Sequence, residues 1–177
     1  MTTHCSRALV ALLCFLAASA TDATAQSTTP RPAPVLEGAV GWAGFTDEDV
    51  VNHGLLAGAA RIYLSPRLSV GPEVVYMRGP GHDRDLMVTG NLTVDLLAPS
   101  SGATRRATPF VVVGGGLFRH ADRFQSGTFT SSEGAVTLGL GARAWISRRA
   151  FVAVDARLGW ELHARVAATV GVALTRD

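Results

Sequence analysis

The sequence predicts an all-β fold: a closed, antiparallel, up-and-down transmembrane β-barrel of about eight strands. Three observations lead there. The first is strict alternation in the segment 152–162. One parity holds Val152, Val154, Ala156, Leu158, Trp160 and Leu162, and the other holds Ala153, Asp155, Arg157, Gly159 and Glu161. Successive side chains of a strand point to opposite faces, so one face is continuously apolar and the other carries charge between small residues. The second is that this pattern recurs along the chain behind an export signal. The third is the make-up of the polar parity, which is mostly Gly, Ala and Thr with isolated charges of both signs.

The export signal is expected at 1–25. Arg7 gives the positive start, 8–18 is an apolar run, and Ala23-Thr24-Ala25 offers the small-x-small cleavage site. The run is too short for a retained helix, since a span needs ~20 apolar residues. Cys5 and Cys14 are the only cysteines of the chain. Both leave with the signal, so the expected mature chain has no disulfide, thiol nucleophile or cysteine metal ligand. Residues 26–35, rich in Pro, Ser and Thr, read as an extended periplasmic lead-in, and 36–177 as the barrel domain. A net charge of +2 implies no nucleic-acid partner.

The strands follow in order. The first is expected near 36–45, with Leu36, Val40 and Trp42 opposite Glu37. The second, near 54–64, sets Leu56, Ala60, Ile62 and Leu64 against Ala57, Ala59, Arg61 and Tyr63. Ser65-Pro66-Arg67 is a tight turn because proline presets its dihedral. The third, near 68–78, places Val70, Val74 and Tyr76 opposite Glu73, and 79–83 breaks it. The fourth, near 85–97, separates Leu86, Val88, Leu92, Val94 and Leu96 from Thr89, Asn91, Thr93 and Asp95. A polar connection spans 98–108. The fifth, near 109–119, leaves its parity open, because Val and Gly occupy both faces. A long polar loop is expected over 120–133. The sixth, near 134–146, sets Val136, Leu138 and Leu140 against Thr137, Gly139, Gly141 and Arg143, and a short turn follows at 147–149. The alternating segment is the seventh. The eighth, near 165–175, sets Val166, Val170 and Val172 against Arg165, Thr169 and Gly171.

Alternation alone does not say which face is outside. A soluble barrel shows water a face rich in charged residues, and here that face is too small-sided and sparsely charged. It suits a narrow interior. Buried charges must pair, so Glu37, Glu73, Asp95, Asp155 and Glu161 are expected to meet Arg61, Arg143, Arg157 and Arg165 in an ion-pair network filling the bore. Eight strands leave a bore only wide enough for side chains. Aromatic residues near strand ends are expected to form two interfacial girdles: Trp42, Phe45, Tyr76, Phe118 and Trp160 at one rim, Tyr63, Phe110, Trp145 and Phe151 at the other.

The stretch Pro109-Phe110-Val111-Val112-Val113-Gly114-Gly115-Gly116, the segment Gly139-Leu140-Gly141-Ala142-Arg143 and the glycine-bearing last strand make 36–175 resemble the small eight-stranded outer-membrane barrels of the OmpA/OmpX type. The resemblance implies a monomeric protein in the outer membrane of a Gram-negative-type bacterium. Its partners would be membrane lipid, lipopolysaccharide and the outer-membrane assembly machinery. In that class a terminal aromatic residue helps the machinery recognise the last strand, whereas this chain ends Leu174-Thr175-Arg176-Asp177.

The remaining motifs carry little chemistry. Gly139-x-Gly141-x-x-Ala144 superficially matches a dinucleotide fingerprint, but it lies inside a strand rather than at a strand-to-helix turn. His53, His82, His120 and His163 fall in or beside loops at the external rim, with Asp47, Glu48, Asp49, Asp83 and Asp122 also there. No short metal-ligand spacing links them, and they read as solvated loop residues. Lipid A deacylases of similar size place His and Ser two apart on a strand. Here His163 is followed by Ala164 and Arg165, so no catalytic residue, metal or cofactor is assigned. The expected function is structural or adhesive, through the loops 46–53, 79–84 and 120–133, with Arg119 and Arg123 approaching anionic headgroups. The alternative is a soluble, exported, lipocalin-like barrel with the faces inverted and an apolar ligand inside.

Overall fold

The computed structural model describes residues 32–46, 50–97, 107–124, 127–147, 149–159 and 163–174. The expected signal at 1–25, and the lead-in as far as 31, lie outside the described residues. Eight strands follow one another: β1 (Val35–Thr46), β2 (Val50–Tyr63), β3 (Leu68–Arg78), β4 (Arg84–Asp95), β5 (Thr108–Phe124), β6 (Gly127–Trp145), β7 (Ala150–Gly159) and β8 (His163–Ala173). Each pairs antiparallel with the next, and β8 pairs with β1, so the sheet closes as an up-and-down barrel with no free edge.

Closure works because every strand keeps the two-residue alternation. In β2, His53, Leu55, Ala57 and Tyr63 are buried, while Leu56 and Ile62 are exposed. In β7, Phe151, Ala153 and Asp155 are buried, while Val152, Val154 and Leu158 face outward. The outward face is thus a belt of Val, Leu and Ile carried by all eight strands. The open parity of β5 resolves with Phe110, Val112, Gly114 and Phe118 inward, and Val113 and Leu117 outward.

Two short turns share one construction at the end of the barrel nearer the termini. Leu64 and Ser65 donate their amides to the Leu68 carbonyl at 2.8 and 3.1 Å, and the Ser65 hydroxyl accepts from the Leu68 amide at 3.1 Å. Ile146 and Ser147 do the same to Ala150 at 3.0 and 3.1 Å, and the Ser147 hydroxyl accepts from the Ala150 amide at 2.9 Å. The serine side chain stands in for a backbone acceptor and closes the turn. At the opposite, far end, the β3–β4 turn uses Gly81 with φ +65°, where a side chain would be strained.

The structure corrects three expectations. The 120–133 loop is largely strand, since β5 and β6 stay in register from Thr108↔Arg143 up to Phe124↔Gly127. Where a hairpin extends past the barrel wall neither face has a core to bury against, so the apolar period that marks a strand disappears although the ladder continues. Residues 50–53 likewise belong to β2. Among the described residues the aromatic girdles are mostly absent: Trp42 and Tyr76 face outward, but Tyr63, Phe110, Phe118 and Phe151 are buried inside, and Trp160 lies outside the described residues. Their parity decides this, because each sits one or three positions from an outward apolar residue. The lipocalin-like alternative fails on the same geometry, because Glu73, Asp155 and Arg165 face inward at mid-barrel while Leu138, Leu140 and Leu158 face outward.

Candidate functional site

The inside of the barrel is built in layers. Near the terminal end, Val35, Tyr63, Phe110, Val112, Phe151 and Ala153 form an apolar cluster, with Trp145 packed against it. Toward the far end, Leu55, Val75, Met77, Met87 and Phe118 form a second, with Phe45 packed on it. Glycines make room for the bulk. A Cβ at Gly171 would run into the Phe151 ring, and one at Gly141 into Phe110 and Asp155.

Eight of the nine residues expected in the ion-pair network are described, and all eight take part in ion pairs. Arg61 pairs with Glu37. Arg143 contacts Asp95 at 3.2 Å, donates to the Tyr63 hydroxyl at 3.2 Å, and lies over the rings of Phe110 and Phe151 at 5.1 and 5.0 Å. Cation–π contact and the ion pair together hold a guanidinium that is almost wholly buried. Glu73 is the hub. Its Oε1 accepts from Arg165 at 2.7 Å and its Oε2 from Arg157 at 2.9 Å and from Asn91 at 2.8 Å. Arg157 also donates to Asp155 at 2.7 Å. Glu161 lies outside the described residues. A cavity of ≈ 20 Å³ remains beside Glu37, Arg61, Glu73, Asp155 and Arg157. That is room for a water molecule or so, far below the ~300–1,000 Å³ of a ligand pocket.

A second polar constellation caps the far end. His53 of β2, Asp85 of β4 and His120 of β5 all point inward, and Asp83 joins them from the β3–β4 turn. His53 Nε2 lies 2.8 Å from Asp83 Oδ2 and 3.3 Å from Asp85 Oδ2. His120 Nδ1 lies 2.7 Å from Asp85 Oδ1 and 3.5 Å from Asp83 Oδ1. The Phe45 ring meets the edge of His53 with centroids 4.9 Å apart and lies 5.2 Å from His163. These are therefore not solvated loop histidines: His53 and His163 are buried in strands, and only His82 is exposed. Sequence spacing could not group them, because the strand pairings, not the chain, bring 53, 85 and 120 together. The available signal was parity, since His53 continues the inward series Leu55 and Ala57.

On the outer face at the same end, Arg119 is exposed on β5; Arg123 belongs to the same strand, and its side chain lies outside what the structure describes. Two further arginines join Arg119 on neighbouring strands. Arg78 ends β3 and Arg84 begins β4, they are register partners, and both are exposed on the parity of the outward Tyr76 and Leu86. The sequence reading missed them because they flank a turn.

No protein-family model matches the chain, and no curated protein matches it in sequence. Solved structures do. Neisserial surface protein A superposes with a TM-score of 0.70 at 9% identity, covering 82% of this chain and 100% of that one. The N-terminal β-barrel domain of Pseudomonas aeruginosa OprF gives 0.64 at 11% identity, covering 82% and 100%. Ail, the attachment invasion locus protein of Yersinia pestis, gives 0.57 at 8% identity, covering 81% and 98%. Closed eight-strand topology, an outward apolar belt and these superpositions together give the chain the fold of the small eight-stranded outer-membrane β-barrels.

Proposed function

We propose that this chain is an outer-membrane barrel protein of structural or adhesive type, monomeric, exported behind a cleaved signal in a Gram-negative-type bacterium and inserted by the outer-membrane assembly machinery. The observation that carries the reading is the inverted distribution of polarity on a closed barrel: Leu138, Leu140 and Leu158 lie outside, while Glu73, Asp155 and Arg165 lie inside. An apolar belt on all eight strands is costly in water and suits the hydrocarbon of a bilayer. In this reading the tight turns at 65–67 and 147–149 are periplasmic, and the far end, with the long β5–β6 hairpin, is external.

The bore works as a plug rather than a pore. Ion pairs fill its middle, apolar clusters close it on both sides, and the remaining space passes no solute. The external work falls to the far end. Arg78, Arg84 and Arg119 form an outward cationic patch just beyond the belt, where the phosphates of lipopolysaccharide would lie. Ail, which shares the fold, is known in complex with the heparin analogue sucrose octasulfate, and polyanion binding is the chemistry proposed for this patch.

Membrane fractionation with a heat-modifiability gel tests the location. The expected result is recovery in the outer membrane, with faster migration of the unheated sample. A periplasmic protein with no shift would overturn the reading. Planar-bilayer recording tests the plug, which predicts no stable conductance.

A further inference from the structure

We infer that His53, Asp83 and Asp85 at the far end bind a divalent first-row transition metal, with zinc the best match, and that His120 orients Asp85 from behind as a positioning residue. Mixed imidazole and carboxylate donors suit zinc and its neighbours. Calcium and magnesium prefer all-oxygen shells, and soft copper(I) prefers sulfur. The spacing fits as well. Ligand atoms ~2.0 Å from a tetrahedral zinc lie ~3.3 Å from one another. His53 Nε2 lies 2.8 Å from Asp83 Oδ2 and 3.3 Å from Asp85 Oδ2, close to that edge, while His120 Nδ1 holds the other oxygen of Asp85 at 2.7 Å. The donor atoms of His53, Asp83 and Asp85 all fall within 4.8 Å of one another.

Three independent features point the same way. His53 Nδ1 lies 3.4 Å from the Val51 carbonyl oxygen. That carbonyl can accept the ring's remaining N–H once a metal takes Nε2 from its 2.8 Å hydrogen bond with Asp83 Oδ2. Asp83 Oδ1 is buried and makes no hydrogen bond among the described residues. Gly79 supplies the space: a Cβ there would stand 2.5 Å from both Asp83 Oδ2 and His53 Nε2. Two carboxylates within reach of one imidazole nitrogen form a donor set whose negative charge a divalent ion neutralises. The Phe45 ring and the apolar cluster beneath it shield the site from the bore. The partial exposure of Asp83 and His120 leaves entry from the far end. A bound ion would join β2, the β3–β4 turn and β4, fixing the turn that presents Arg78 and Arg84.

The test uses the untagged barrel folded in detergent, titrated with zinc by calorimetry and assayed for retained metal after dialysis. Cobalt(II) serves as a spectroscopic probe. The expected result is one zinc per chain, unaffected by millimolar calcium or magnesium, and visible cobalt bands of tetrahedral intensity. Asp85→Asn and His120→Ala should each weaken binding by about tenfold or more. Gly79→Ala keeps all three donors and should also weaken binding. Heat-modifiability of each variant shows that the barrel still forms. The inference is overturned if the folded wild type retains no zinc, or if Asp85→Asn and His120→Ala bind as well as wild type. It is equally overturned if cobalt gives only the pale spectrum of the aqueous ion.

Discussion

Replacing Glu73 by glutamine tests the polar filling of the bore most sharply. Glu73 receives Arg165 at 2.7 Å and Arg157 at 2.9 Å, and the side chain of Arg165 is only 1% exposed. Arg157 keeps Asp155 at 2.7 Å, so the loss falls mainly on Arg165. Leaving one buried charge without its partner costs about 3–5 kcal/mol. The small cavity beside Glu73 can admit a water, which places the expectation near the lower end, about 3 kcal/mol. Glutamine preserves volume and can still meet Asn91, so the change isolates charge from packing. The assay is reversible urea unfolding in lipid or detergent, followed by tryptophan fluorescence, with wild type and variant compared at equal m-value. The double variant Glu73→Gln with Arg165→Met removes the orphaned cation and should recover part of the loss. A cost for Glu73→Gln below about 1 kcal/mol, the range of an exposed pair, would refute the reasoning. So would a double variant as damaging as the sum of its singles.

Further consequences follow from the same geometry. Leu140→Arg, in the middle of the outward belt with register partners Val111 and Ala156, should destabilise the bilayer-inserted barrel by ~2–4 kcal/mol. The measurement is unfolding in liposomes, and a neutral effect there would contradict a lipid-facing position. Gly171→Leu should block folding, because its side chain would enter the space of the Phe151 ring; the heat-modifiability gel reads this directly, and a normally folded variant would contradict the packing. Replacing Arg78, Arg84 and Arg119 together by glutamine should leave the barrel folded and lower its affinity for lipopolysaccharide in a co-sedimentation assay. Unchanged affinity would remove the cationic patch from the account.

Much of the barrel is legible in the sequence because a membrane barrel imposes one strict rule, period-two alternation, on every strand that lipid touches. β7 shows it best: Val152, Val154 and Leu158 against Ala153, Asp155 and Arg157 predict both the strand and its inward charges. Legibility fails where that rule relaxes. In β5, Val111 to Gly116 put valine and glycine on both parities, and only the pairing with Asn91 and Thr137 orients Gly114 inward. Above the belt, Ser131 and Thr130 are as polar as any loop, yet they continue the ladder with His120 and Ala121. The aromatic residues mislead for a different reason. Position near a strand end suggests an interfacial role, whereas parity places Tyr63 and Phe151 inside, beside Arg143, with Phe151 over Gly171. The His53–Asp83–Asp85–His120 constellation joins residues far apart in the chain, and no local spacing reveals it.

The account's central claim is that the apolar parity meets lipid and the charged parity meets the bore. Single cysteines placed in turn at positions 152–158, in a chain whose Cys5 and Cys14 have been removed, can be spin-labelled and reconstituted into bilayers. The account predicts high oxygen accessibility at 152, 154, 156 and 158 and protection at 153, 155 and 157, a period of two with the apolar residues in phase. A flat profile, or one with the phase reversed, would contradict it.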